Sequence, residues 1–216
     1  QPIRYATIFP YTASFVFFFG AAQAPELFGR DQLTGTLPLY FSRAVGRFDY
    51  ALARLLGLFL ALAVMVFAPQ IILLVGRVLV ADDLGSGIGE ELSAVPAVLA
   101  VGIMVTAVVG TVSAAIAALT PRRAYATVAI VVVFLIPRLL AESLVLLDSE
   151  LPGQLAVLLS PSDVLDGVNA YVFGVPPELP APRSAGLDLW VYVPAAAAWF
   201  IGSLSVLLLR YRRIDT

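Results

Sequence analysis

Five apolar runs dominate this chain, and each is about as long as a helix must be to cross a bilayer. They extend from about Ile8 to Ala24, Ala51 to Val80, Val95 to Leu119, Tyr125 to Leu147 and Leu189 to Leu209. About 20 helical residues span the ~30 Å hydrocarbon core of a membrane. In that solvent each backbone N–H and C=O must be satisfied internally, so runs of this length become helices. The expected fold is all-α: a polytopic helical bundle within a membrane, forming a single domain over 1–216. Only 13% of the 216 residues are charged, about half the usual share in a soluble domain. The second run is long enough to tilt or bend, with Pro69 near its middle. Pro137 in the fourth and Pro194 near the start of the fifth are similar candidates.

The charges that remain are unevenly placed. All 13 basic residues are Arg. Nine fall on one side of the expected bundle: Arg30, Arg43, Arg47, Arg54, Arg122, Arg123, Arg210, Arg212 and Arg213. Arg4, Arg77 and Arg183 fall on the other, among acids that include Asp82, Glu91, Asp163 and Asp166. The positive-inside rule makes the nine-Arg side cytoplasmic, with the C-terminus inside and residue 1 outside. The expectation is a multi-pass protein of a bacterial plasma (inner) membrane; the Arg-only, Ala- and Val-rich composition suits a GC-rich bacterial genome. That topology, and a chain that begins with Gln, suggest a sixth span before residue 1, with a cleaved signal sequence as the alternative.

Several chemistries are excluded. The chain has no Cys and no His, so it offers no thiol chemistry, no His or Cys metal set and no Ser-His-Asp triad. Without Lys or a Gly-rich phosphate loop it has no nucleotide site of the usual kind. Catalytic, cofactor-binding and metal-binding residues are accordingly expected to be none. The Arg residues sit at membrane borders and form no aromatic-basic platform, so no nucleic-acid partner is expected.

Between the first two runs lies a turn-rich basic stretch, 29–50. Thr34, Gly35 and Pro38 break a helix there, and Ser42 can cap a new one. Arg43, Arg47 and Arg54 follow near helical spacing, with Phe48, Asp49 and Tyr50 among them. Anchoring at the membrane border accounts for such a segment; so does a coupling helix that docks into a partner. The order Asp31, Gly35, Thr36, Leu37, Tyr40, Ser42, Arg43, Arg47, Asp49, Tyr50 resembles the membrane-spanning permease subunits of type-2 ABC exporters. The family often has Lys near Arg54; here the charge is kept. The outer Leu159-Ser160-Pro161-Ser162-Asp163, followed by a short amphipathic helix, also resembles the family's element before its last span.

The resemblance covers the layout of most of the chain, but its specific motifs cover about thirty residues. It implies a six-span subunit without enzyme activity of its own. Its implied partners are ATP-binding cassette subunits, which would hold ATP and Mg, and a second permease copy or homologue. Ser42, Arg43, Arg47, Phe48, Asp49 and Tyr50 would form the coupling surface. The Phe-rich first span would line the dimer interface and the path, which suits an apolar or amphipathic substrate. The alternative is a structural or assembly subunit of a larger membrane complex. An intramembrane enzyme ranks last.

Three further features stand out. Arg138 and Glu142 are four apart within the fourth run, so they can pair, either as a structural ion pair or beside a path. Gly102, Thr106, Gly110, Ser113 and Ala117 form a small-residue stripe suited to helix packing, or alternatively to lining a conduit. The outer segment 148–188 is long. Ser160 is an expected cap with Pro161 at the first helical position, and the helix that follows is expected to lie at the outer interface. Pro176, Pro177, Pro180 and Pro182 then suggest an extended connector.

Overall fold

A computed structural model describes residues 4–33, 47–81, 84–120, 122–147 and 150–212. The regular structure among them is helical throughout: α1 (Tyr5–Leu33), α2 (Arg47–Val80), α3 (Leu84–Leu119), α4 (Arg123–Leu146), α5 (Glu150–Leu159), α6 (Pro161–Phe173), α7 (Pro180–Ser184), a 3-10 turn (Leu189–Val191) and α8 (Tyr192–Arg212). Five helices are long and apolar enough to cross a membrane: α1, α2, α3, α4 and α8. The protein is an all-α polytopic bundle. Helix α2 continues past Pro69, and α4 past Pro137, as helices in lipid tolerate when neighbours satisfy the freed carbonyl.

Burial follows the helical period, but both faces are apolar. On α2 the buried positions are Tyr50, Ala51, Leu55, Leu58, Leu62, Val66 and Gln70, while Leu56, Leu60 and Val64 on the opposite side are apolar and 59%, 63% and 69% exposed. A helix that is hydrophobic all round is one whose outer face meets lipid. At the centre, α3 touches α1, α2, α4, α6 and α8. Its core Val105, Val108, Val109 and Val112 are buried among them.

Each end of the bundle is fastened. At the end where α1 begins, Tyr5 donates a short hydrogen bond to Glu91, and Arg77 Nε lies 2.6 Å from the other Glu91 oxygen. One buried carboxylate thus ties α1, α2 and α3. Removing it with Glu91→Ala is expected to lower stability by about 1–3 kcal/mol, the usual cost of leaving buried partners without their acceptor. A thermal melt in detergent reads this directly, and an unchanged midpoint would refute the fastening. At the Arg-rich end Phe28, Tyr50 and Tyr211 pack ring on ring, with centroids 6.4 Å and 5.9 Å from Tyr211. They join the end of α1, the start of α2 and the end of α8.

The segment after α4 does not lie on the surface. It forms a hairpin that enters the bundle. Helix α5 packs back along α4. At the turn, Ser162 Oγ donates to the Phe134 carbonyl at 2.7 Å. Phe134 sits about 18 Å along α4 from Leu146, at ~1.5 Å per residue, and is the middle of that helix. Helix α6 then climbs back, and Asn169 Nδ2 donates to the carbonyl of Ala6, near the start of α1, at 2.7 Å. Every residue from Pro161 to Ala170 is buried. The expected interfacial helix is therefore a re-entrant one, wrapped by protein, the condition under which such a turn survives at membrane depth. The connector after it contains the short α7 as well as extended chain.

Candidate functional site

The local sequence explains why α6 starts where it does. Ser160 Oγ accepts from the Asp163 backbone N–H at 3.3 Å, Pro161 occupies the first turn, and the helix closes at Gly174 with φ 63°. That left-handed cap suits glycine. The cap fixes Asp163 in the first turn of α6, near mid-depth. Asp166 and Asn169 follow at intervals of three, along one side of the helix.

This side of α6 is polar and dry. Asp163 is 0% exposed and Asp166 1% exposed. Asp166 Oδ2 accepts from the Leu179 N–H at 2.9 Å. Both oxygens of Asp163, Oδ1 of Asp166 and Oδ1 of Asn169 have no hydrogen-bond partner among the described residues. Burial pushes the Asp163 carboxyl up to about 7, against the pull of the nearby Ser160 hydroxyl and the Arg138 guanidinium. Burial likewise raises Asp166 to about 6, against backbone N–H groups and Arg138.

Arg138 is the cation that answers these acids. It lies about 12 Å along α4 from Leu146. With Ser14, Phe17, Phe18, Phe134 and Ser162 it lines a small cavity of about 60 Å³ between α1, α4 and α6. Phe17 and Phe134 stack there with centroids 4.5 Å apart. Arg138 and Glu142 form no ion pair with each other, which corrects the pairing expected from their spacing. Adjacency on one helix sets only opportunity. Here the buried carboxylates of α6 lie within electrostatic reach of Arg138 and compete for its charge. Sequence reading placed Asp163 and Asp166 among surface acids. Their spacing after a capped Ser-Pro start was visible; the depth of the hairpin was not.

Helices α1 and α4 form one wall of this cavity. Toward the Arg-rich end they are joined again, where Thr127 Oγ1 donates to the Ala21 carbonyl at 3.1 Å and Arg123 pairs with Glu26 at 2.8 Å. Beside that wall, Tyr11, Phe15 and Phe18 of α1 stand 76%, 69% and 60% exposed. Gln23, further along α1, is exposed and has no hydrogen-bond partner among the described residues.

The remaining sequence candidates separate. Ser42 and Arg43 lie outside the described residues, as does most of 29–50. Arg47 begins α2, and Phe48 and Asp49 are exposed on its first turn. Tyr50 was expected on the docking surface but turns inward, 8% exposed, into the cluster with Phe28 and Tyr211, with Arg54 over its ring at 5.2 Å. Gly102 and Gly110 face the rings of Phe67 and Phe59 on α2, where a side chain would collide. Ser113 faces Gly20 on α1, and Thr106 is buried beside them on α3. The stripe thus meets α2 with its glycines and α1 with Ser113. No cluster of three acidic residues able to hold a metal occurs among the described residues. Against known proteins, the sequence matches no family model and no curated relative.

Proposed function

We propose that this chain is the permease subunit of an ATP-driven exporter of the type-2 ABC class. The observation that carries this reading is the re-entrant α6, which buries Asp163 and Asp166 within electrostatic reach of Arg138 on α4, itself lining a cavity with Phe17, Phe18 and Phe134. Ionisable groups at such depth cost stability and mark pathways more often than scaffolds. The motif of 29–50 supports the same class, and a scaffold has no need of either feature. ATP and Mg belong to separate cassette subunits; this chain does no bond chemistry. In bacteria it would sit in the plasma membrane with its Arg-rich end cytoplasmic, paired with a second permease. Exposed Phe15 and Phe18 beside Ser14 suit an apolar or amphipathic substrate.

The mechanical logic follows from the Arg-rich end. Closure of the cassette subunits on ATP would push the segment around Ser42, Arg43, Arg47, Phe48 and Asp49. Tyr50, packed on Tyr211, which in turn packs on Phe28, would pass that push from α2 to α8 and α1. Only contacts that differ between the two states can supply the work.

The test is purification in mild detergent with an ATP-hydrolysis assay. A cassette subunit is expected to co-purify. Arg43→Glu with Arg47→Glu is expected to lower hydrolysis by roughly tenfold or more, since reversing interface charges costs a few kcal/mol. A stable assembly with other membrane proteins and no ATPase would make the chain a structural subunit instead.

A further inference from the structure

Beneath the tip of the hairpin lies a second, larger cavity of about 610 Å³, and it differs in kind from the Arg138 site. Its floor is α8, where Ala195, Ala198, Trp199, Gly202, Ser203 and Val206 form one stripe at helical spacing. Its roof is Leu158 and Leu159, the last residues of α5, at mid-depth. Its side wall descends α3 from Val112 to Leu119, the last residue before the Arg-rich border. The space therefore runs from the middle of the membrane to that border. Leu159, Leu119 and Val206, at 65%, 56% and 41% exposed, leave it open sideways.

Three observations say what fits. The first is length. From Ala195 to Val206 the stripe covers about 16 Å, close to one leaflet's half of the ~30 Å hydrocarbon core. The second is polarity. Only two lining side chains carry polar atoms, and both are occupied: Trp199 Nε1 donates to the Leu158 carbonyl at 3.2 Å, and Ser203 Oγ donates to the Trp199 carbonyl. Nothing remains to hold water, and apolar cavities without polar partners stay dry. The third is charge at the mouth. Arg210 lies one turn beyond Val206 on the same face. Its Nε donates to the Ala118 carbonyl at 3.3 Å, which holds the side chain at the border beside the cavity. Its terminal nitrogens make no hydrogen bond or ion pair with a described residue. A fixed guanidinium with free donors suits a phosphate.

We infer that this cavity holds one acyl chain of an anionic phospholipid from the leaflet at the Arg-rich end, with the lipid phosphate on Arg210. The inference does not depend on the transport reading. It also differs from a loose annular contact, because the acyl chain is roofed by the hairpin and the headgroup meets a cation held in place by the Ala118 carbonyl.

The experiment uses the full chain purified in detergent, exchanged into nanodiscs of mixed anionic and zwitterionic phospholipid, stripped again and examined by native mass spectrometry. Gly202→Leu places a side chain at the lining of the cavity, where a Cβ would meet no atom within 4 Å. Ala198→Phe fills the same space from the next turn, and a melting curve for each confirms folding. The wild-type chain is expected to retain one anionic phospholipid, and both filling variants to lose it. Arg210→Gln is expected to keep a lipid but lower the preference for the anionic headgroup about fivefold, the value of one basic residue at a membrane surface. Retention that is the same in the folded filling variants overturns the site. So does a wild-type chain that retains lipid without headgroup preference. Disulfide-linked dimers formed by Gly202→Cys would assign the face to a second copy and overturn it too.

Discussion

Gly167→Ala is expected to destabilise this bundle far more than a single methyl group normally does. Gly167 lies in the buried part of α6, and a Cβ there would fall within the ring of Tyr192. Tyr192 cannot step aside. It is 0% exposed, and its hydroxyl donates to the Pro182 carbonyl at 3.4 Å. Relief must come from α6 moving off α8, which would strain the Ser162 bond to Phe134 and the Asn169 bond to Ala6. Overpacking of this kind costs about 1–3 kcal/mol and occasionally more. The control is Gly202→Ala on α8, where a Cβ meets nothing within 4 Å. There the same change is expected to stabilise by about 0.5–1 kcal/mol, the helix preference for Ala over Gly. Melting both variants in detergent separates a collision from a general glycine effect. A cycle with Tyr192→Ala sharpens the test. That change alone costs about 3–5 kcal/mol as a buried cavity, but it removes the obstacle, so the double variant should cost less than the sum by about 1 kcal/mol or more. Strict additivity would show that α6 and α8 do not meet at this point.

The ease of reading the sequence varied along the chain, and the reason is physical. Long apolar runs declare themselves because the bilayer demands length and forbids exposed backbone. The start of α6 was equally legible, since Ser160 and Pro161 act within one turn of chain. Depth was not. Nothing between Asp148 and Asp188 says that the hairpin enters the bundle; that is settled by bonds to remote partners, Ser162 to Phe134 and Asn169 to Ala6. Once α6 is inside, Asp163 and Asp166 cease to be surface acids, and Arg138 acquires rivals to Glu142. Tyr50 failed for a related reason. The preceding Phe48 and Asp49 are exposed, but its ring packs on Tyr211, itself against Phe28, across the bundle. Local pattern set which residues are helical, and tertiary packing set which of them the site can use.

Asp163→Asn is expected to make the protein more stable at neutral and alkaline pH. Asp163 is fully buried, and neither of its carboxyl oxygens has a hydrogen-bond partner among the described residues. Burial lifts its carboxyl from 3.8 to about 7. The folded pKa lies above the unfolded one, so the folded state holds the extra proton. Stability is then fully present below about pH 4 and is lost progressively as pH rises through about 7. A shift of that size corresponds to a loss on the order of a few kcal/mol. The surroundings do not reverse the sign: Arg138 on α4 favours the charged form, but Asp166 on α6 and Glu142 on α4 oppose it. Asparagine keeps the shape and removes the charge. Its melting temperature should change less with pH across this window and exceed that of the parent above pH 7. A lower melting temperature for Asp163→Asn at high pH would mean that the carboxylate is paired in the folded protein, and the argument would fail. The same variant also separates structure from function. A group kept only for packing would leave substrate-stimulated ATP hydrolysis intact when neutralised. If the acid beside Arg138 serves the path, the more stable variant should be the less active one, the trade expected where a site holds charge at a cost to the fold.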